Sequence, residues 1–463
     1  MIKSLNMKKK YILLLNFLLL AGSACQKSFL DKKPDQALLV PTTLGDMQAL
    51  LDNSDGTGLN AAPGLGNVAA DDLYRQEATI SSLTVTERNT YTWQETIYQN
   101  ASVSDWNMPY QGVFYANVVL DGLENIERTN NNSGEWDRIK GSALLYRGTA
   151  LFHLVQFFGA PYDPATSTSK AGLPLHLTSD VNVIAGRGTL AESYFQIIKD
   201  LQDAAALLPA KPLFPTRPSR AAAFAYLSRV FLVMRDFEKA KDYADKYLAI
   251  SSVLIDYNNI NSSLARPFPI GNLGGNPEVL YFVQLTGYTF SIATTTFIDP
   301  ELYQSYEDTD LRKTCFFASA GNGNFYFKGS YSGIISNYAG PATDEVLLIR
   351  AESRIRTGNV TGGIADVNTL LEKRYRRGNF VPVVISGQAD ALKRVLNERR
   401  KELICRGVRW LDLRRLNLEP GFEKTLTRMA GGVIYTLAPN SNRYTFQIPD
   451  NEISASGIEQ NPR

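Results

Sequence analysis

Residues 219–250 constrain the fold more than any other stretch of the chain. Phe224, Leu227, Phe231 and Met234 recur at three- and four-residue steps, the spacing that gathers side chains on one helical face. The flanking positions are apolar as well, so this helix is expected to be buried on most sides. Arg235-Asp236 makes a turn, and the period resumes at Phe237, Ala240, Ala244, Tyr247 and Leu248. Small alanines at 240 and 244 let two antiparallel helices approach closely. Such a hairpin cannot bury its apolar surface alone and needs further pairs stacked against it, as in tetratricopeptide arrays.

More pairs are legible. Val346, Leu347, Ile349 and Ala351 lead into a Thr357-Gly358-Asn359 break, and Ile364 to Leu371 makes the return. Helical patterns at 136–158 and 190–208 form a third pair across a long loop. A further helix at 107–128 carries Phe114, Val118, Leu120 and Ile126 on its apolar side. The fold expected is mainly α: one domain over 42–463 built from tetratricopeptide-like hairpins, with a few short strands. Two insertions, near 52–99 and 251–342, are too long for structureless loops in a compact domain. The second contains strand-like runs, Val279-Leu280-Tyr281-Phe282-Val283 and Asn324-Phe325-Tyr326-Phe327.

The N-terminus reads as a processing segment. Lys8, Lys9 and Lys10 precede an apolar run at 11–20 and then Ala21-Gly22-Ser23-Ala24-Cys25. That run is shorter than the roughly 20 residues a spanning helix needs, and the pattern is secretory, with small residues placed as in a bacterial lipobox. Residues 1–24 are therefore expected to be removed, Cys25 to be lipidated, and 25–41 to serve as a tether. Removing Lys3, Lys8, Lys9 and Lys10 takes the balance from 48 basic against 46 acidic to 44 against 46. A near-neutral mature chain argues against nucleic-acid binding. Cys315 and Cys405 remain, and both read as small buried apolar groups.

Chemistry-bearing motifs are sparse. His153 sits in an apolar helix and His176 in a loop without a second ligand nearby. No metal-ligand spacing, phosphate loop or serine nucleophile motif is present, so neither metal nor cofactor is expected. The acids between Glu398 and Asp412 are spaced for ion pairs with Arg399 and Arg409, a structural reading preferred over paired-carboxylate catalysis. The candidate binding groups are on the insertions: Asp72, Tyr74, Arg75 and Trp93, with Tyr91 and Tyr98, in the first; Tyr288 and Tyr326, with Phe290, Tyr331 and Tyr338, in the second. Flat rings beside short carboxylates and a guanidinium suit carbohydrate, whose C–H faces pack on rings while hydroxyls take the polar groups. About half of these rings are expected simply to pack the loops onto the helices.

Several stretches, in order, resemble the SusD/RagB family. They are Cys25 with Phe29-Leu30-Asp31; Trp106, Tyr110, Ala116 and Asn117; Arg147 and the exit Phe158-Gly159-Ala160-Pro161; and Tyr194 to Leu201 closing at Leu208-Pro209. The most specific is Asn397-Glu398-Arg399-Arg400-Lys401-Glu402-Leu403 followed by Gly407, Arg409, Trp410, Asp412 and Leu413. Two departures are Arg406, where the family has Glu, and the absence of a Gly-Tyr ending. The resemblance implies an outer-membrane lipoprotein facing the cell exterior. It would capture a nutrient, an oligosaccharide in the first place, for a SusC-like TonB-dependent transporter, without catalysis. A peptide cargo, a surface lipoprotein glycoside hydrolase and a scaffold for protein partners are the alternatives.

Overall fold

Each helical pair starts where the chain supplies a cap and turns where it supplies a break. The computed structural model describes residues 41–53 and 57–463; Cys25 and the rest of the leader and tether lie outside them. The longer helices are α1 (Leu44–Asp52), α2 (Ser104–Leu123), α3 (Ser133–Phe158), α4 (Leu190–Leu207), α5 (Arg220–Val233), α6 (Phe237–Ile250), α7 (Thr343–Arg356), α8 (Val360–Glu372), α9 (Gln388–Glu402) and α10 (Arg409–Leu416). Thr43–Arg463 forms one compact unit. No helix among the described residues is long and apolar enough to cross a membrane.

The α5–α6 hairpin turns where the sequence indicates. Ser219 caps α5 by accepting the Ala222 amide, Asp236 caps α6 by accepting that of Lys239, and Arg235 takes a left-handed conformation (φ 63°) between them. Ala240 and Ala244 are fully buried, as close packing requires. The second hairpin is α7–α8, with Asn359 as cap of the return helix. The third pair is α3–α4, α4 opening on a Thr189/Glu192 capping box, and α2 packs on α3. The helix read at 107–128 starts three residues earlier and ends at Leu123.

Buried ion pairs join the pairs. Arg147 of α3 donates twice to Asp200 of α4 (both 2.8 Å) and once to Asn117 of α2 (3.0 Å). Arg229 of α5 makes a two-pronged bond to Glu345 of α7 (2.7 and 2.6 Å). Cys315 and Cys405 are buried free thiols. His153 is buried in α3 against Tyr226, 3.4 Å from its hydroxyl.

The two insertions are locally folded and backbone-paired to each other. Ala61–Ala62 runs parallel to Gln284–Leu285, and Leu73–Arg75 pairs antiparallel with Thr296–Ile298. The strand read at 279–283 falls instead on Gln284–Leu285: Val279, Tyr281, Phe282 and Val283 are core side chains on irregular backbone, so their apolar run reports burial rather than pairing. Asn324–Phe327 is a strand, paired with Phe317–Gly321. A hairpin not anticipated, Leu426–Ala430 with Val433–Leu437, turns at Gly431-Gly432.

Candidate functional site

The pairing of the insertions brings a cleft of about 440 Å³ together beside the Leu73–Arg75 strand. Its lining comes from Asp71, Leu73, Tyr74, Arg75 and Glu77, from Tyr91 and Trp93, from Asp299, and from residues 424–429 at the start of the Gly-Gly hairpin. That volume lies in the range of small-ligand sites.

Asp71 in the cleft and Asp72 behind it are held by cations. Arg409 donates to both Asp71 oxygens (2.7 and 2.9 Å) and Lys424 adds a third bond at 2.7 Å. Burial works to raise the Asp71 carboxyl, but Arg409, Arg400 and Lys424 overcome it and hold it well below the usual range. Arg400 Nε donates to Asp72 at 2.8 Å. For Asp72 burial wins, and its carboxyl is raised.

The six candidate residues divide three ways. Tyr74 is half-buried at the cleft, its hydroxyl donating to Asn324 Oδ1 (2.7 Å) and its ring against Phe297. Arg75 lines the cleft, Nη1 donating to Thr295 (2.7 Å). Trp93 borders it too, but as floor: it is 2% exposed, its Nε1 donates to Ala69 O (3.0 Å), and the Arg428 guanidinium covers its ring at 4.7 Å. Asp72 sits behind the wall, 5% exposed and engaged by Arg400. Tyr288 and Tyr326 do not line this cleft. The Tyr288 hydroxyl donates to Asp105 (3.2 Å), which also accepts the Gly64 and Leu65 amides and is pushed by burial to about 6. Tyr326 is half-buried on the Asn324–Phe327 strand.

The remaining rings of the two sets are packing. Tyr91, Tyr98, Phe290, Tyr331 and Tyr338 are all buried, and Arg406 lies over the faces of Tyr331 and Tyr338 (4.9 and 4.5 Å) while pairing with Asp344 at 3.2 Å. Missed by sequence reasoning were Lys424 and Arg428. The readable signal was Gly431-Gly432 between two short β-prone runs, which marks a hairpin. A second cavity, about 430 Å³, lies along α2 between Trp106, Tyr110, Phe114 and His176. It draws on neither insertion, so the cleft is the stronger candidate.

Sequence comparison bears on both ends of the chain. A family described as "Starch-binding associating with outer membrane" matches residues 28–232, and one described as the SusD family matches residues 343–463. The chain belongs to the SusD/RagB family.

SusD-like protein P2 of Formosa agariphila is 27% identical over 376 residues, 68% of this chain and 71% of that protein. Among solved structures, a SusD superfamily protein from Bacteroides thetaiotaomicron superposes with a TM-score of 0.73 at 22% identity, covering 91% of this chain and all of that one. A SusD-like carbohydrate binding protein from Bacteroides vulgatus gives 0.66 at 20%, covering 90% and 97%. The fold is thus that of the SusD superfamily. Several residues that carry the SusD/RagB resemblance are structural. Asn117, Arg147 and Asp200 tie α2, α3 and α4, and Arg399 holds Asp412 (2.9 Å). Arg409 departs from the expected local network and crosses to Asp71.

Proposed function

We propose that this SusD/RagB protein captures an oligosaccharide at the cell surface and passes it to a SusC-like TonB-dependent outer-membrane transporter. No reaction is needed. The observation that carries the reading is the cleft itself. One half-exposed tyrosine ring, a guanidinium, an ammonium and threonine side chains converge there, the mixture that sugar faces and hydroxyls require. Of its acids, Asp71 is engaged in short ion pairs, which supports binding over acid–base chemistry at that carboxylate. The carbohydrate binding named for the Bacteroides vulgatus protein supports the same cargo class.

The test is titration calorimetry of the purified protein against a panel of oligosaccharides and peptides. Tyr74→Ala is expected to weaken the best ligand by about 2 kcal/mol, roughly thirtyfold, with little change in melting temperature because the ring stands at the rim. Trp93→Ala should instead lower the melting temperature, since that indole is core. Peptides bound in place of sugars would change the cargo, and turnover of a bound glycan by the clean protein would replace capture with hydrolysis.

Anchoring through lipid on Cys25 belongs to the same proposal. Two acyl chains hold a protein firmly whereas one is marginal, so Cys25→Ala should move the protein from the membrane to the soluble fraction with its circular dichroism intact. Persistent membrane attachment of that variant in cells lacking the transporter would rule out the lipid anchor.

A further inference from the structure

The guanidinium groups around the cleft are of two kinds. Arg400 and Arg409 each meet a carboxylate, Asp72 at 2.8 Å and Asp71 at 2.7 Å. Arg75 and Arg428 have no carboxylate within 4 Å among the described residues. Arg75 is 5% exposed, its side chain donates to Thr295 alone among the described residues, and its buried Nε is left without a partner. Arg428 gives its hydrogens to the carbonyls of Val68, Ala69, Ala70 and Tyr91 and lies over the rings of Tyr91 and Trp93 (3.9 and 4.7 Å). Carbonyls satisfy its N–H groups but leave a full positive charge in the floor.

Of the acids nearby, two are matched by cations and two keep their charge while held by backbone amides. Asp71 is shared by Arg409 and Lys424. Asp299 faces Arg400 (3.6 Å) and accepts the Leu302 amide as a helix cap. Glu77 accepts the Gly432 amide. The buried Glu87, whose field reaches Arg75, accepts the amides of Thr84 and Phe290. What the cleft offers an incoming ligand is the Arg75 guanidinium, in contact with no carboxylate of the described residues, backed by the fixed charge of Arg428.

We propose that the cleft selects saccharides bearing an anionic substituent, a carboxylate or a sulfate, which Arg75 grips while Arg428 supplies positive potential beneath. This rests on the capture reading above. A guanidinium binds two oxygens of one acid group in parallel, and such charge-assisted bonds are about twice as strong as neutral ones.

The purified protein is titrated with four hexamers: oligogalacturonate, sulfated carrageenan, maltohexaose and xylohexaose. At least one acidic hexamer is expected to bind ~10-fold or more tighter than both neutral ones. The advantage should shrink as NaCl rises from ~0.02 M to ~0.5 M, because screening acts on the charge alone. The two acidic arms separate carboxylate from sulfate recognition. Arg75→Gln should weaken the preferred acidic hexamer at least ~10-fold more than maltohexaose, and Arg75→Lys should recover part of that loss. If neutral hexamers bind as tightly as acidic ones, or the preference ignores salt, the anionic inference is wrong and saccharide capture stands. If no saccharide binds at all, capture falls and the inference with it.

Discussion

Arg312→Met is expected to cost about 3–5 kcal/mol of folding stability, the usual consequence of stripping a buried ion cluster of one partner. Arg312 is fully buried and donates to Asp310 (2.7 and 2.9 Å), Glu398 (2.7 Å) and Glu402 (3.0 Å). Arg374 continues the cluster from Glu402 (2.7 Å) to Glu278 (2.9 Å). Methionine fills a similar volume and leaves three acids around an apolar group, each with one fewer cation: Lys401 stays with Asp310 (3.1 Å), Arg394 with Glu398 (3.0 Å) and Arg374 with Glu402. The loss should depend on pH in a fixed direction. Burial alone would raise Asp310, but Arg312 and Lys401 hold it below the ordinary range. In the parent this acid therefore adds stability that is present above its unfolded pKa and lost on acidification. In the variant burial acts on Asp310 without Arg312 to oppose it, and Glu402, already raised by burial, loses one of its two cations, so stability falls as pH rises through their raised values. Urea unfolding at about pH 5 and about pH 8 should show the larger deficit at the higher pH. An equal deficit at both would mean that packing, not charge, is what Arg312 contributes.

Trp410→Ala is the second large effect, again about 3–5 kcal/mol. The indole has no exposed surface, stacks on Tyr444 at 4.8 Å and meets Phe446 at 5.7 Å. Its Nε1 has no hydrogen-bond partner among the described residues. Trp410→Phe should consequently be far milder, costing about 1.5 kcal/mol or less, because it keeps a stacking ring and removes a buried donor without an acceptor. Thermal melting of the two variants checks the order. Any saccharide binding lost by Trp410→Ala should be lost together with the fold; a variant that melts like the parent but no longer binds would move the site to this ring.

The helical scaffold was readable because its signals are local. Period, cap and break all occur within some thirty residues, so α5–α6 and α7–α8 emerge with their turns in place. The cluster at 398–412 was readable as structure but not in its pairings. Glu398 and Glu402 answer to Arg312 and Arg374, and Arg409 to Asp71, partners set by tertiary packing that helical spacing cannot reveal. The same limit governed the site. Tyr74, Arg75 and Trp93 stand out as candidates because they fall in a short run of mixed rings and charges, yet nothing local distinguishes a rim tyrosine from a floor tryptophan. Tyr288 carries the same composition signal as Tyr74 and is committed to Asp105. Arg428 stood in an overlooked hairpin some 350 positions from Arg75, and only the fold puts the two on one cleft.

The shared ladders of the two insertions have a consequence for how binding preference can change over evolution. Leu73–Arg75 and Thr296–Ile298 satisfy one another's backbone groups, as do Ala61–Ala62 and Gln284–Leu285, and Gly64 has no room for a side chain against Thr286. Exchanging one insertion for that of a distant relative would strand unpaired strand edges on the other, an invitation to aggregation. The two segments, more than 200 positions apart, are thus one heritable unit: recombination that separates them is penalised, and cargo specificity is free to drift only through side-chain changes or through transfer of both together.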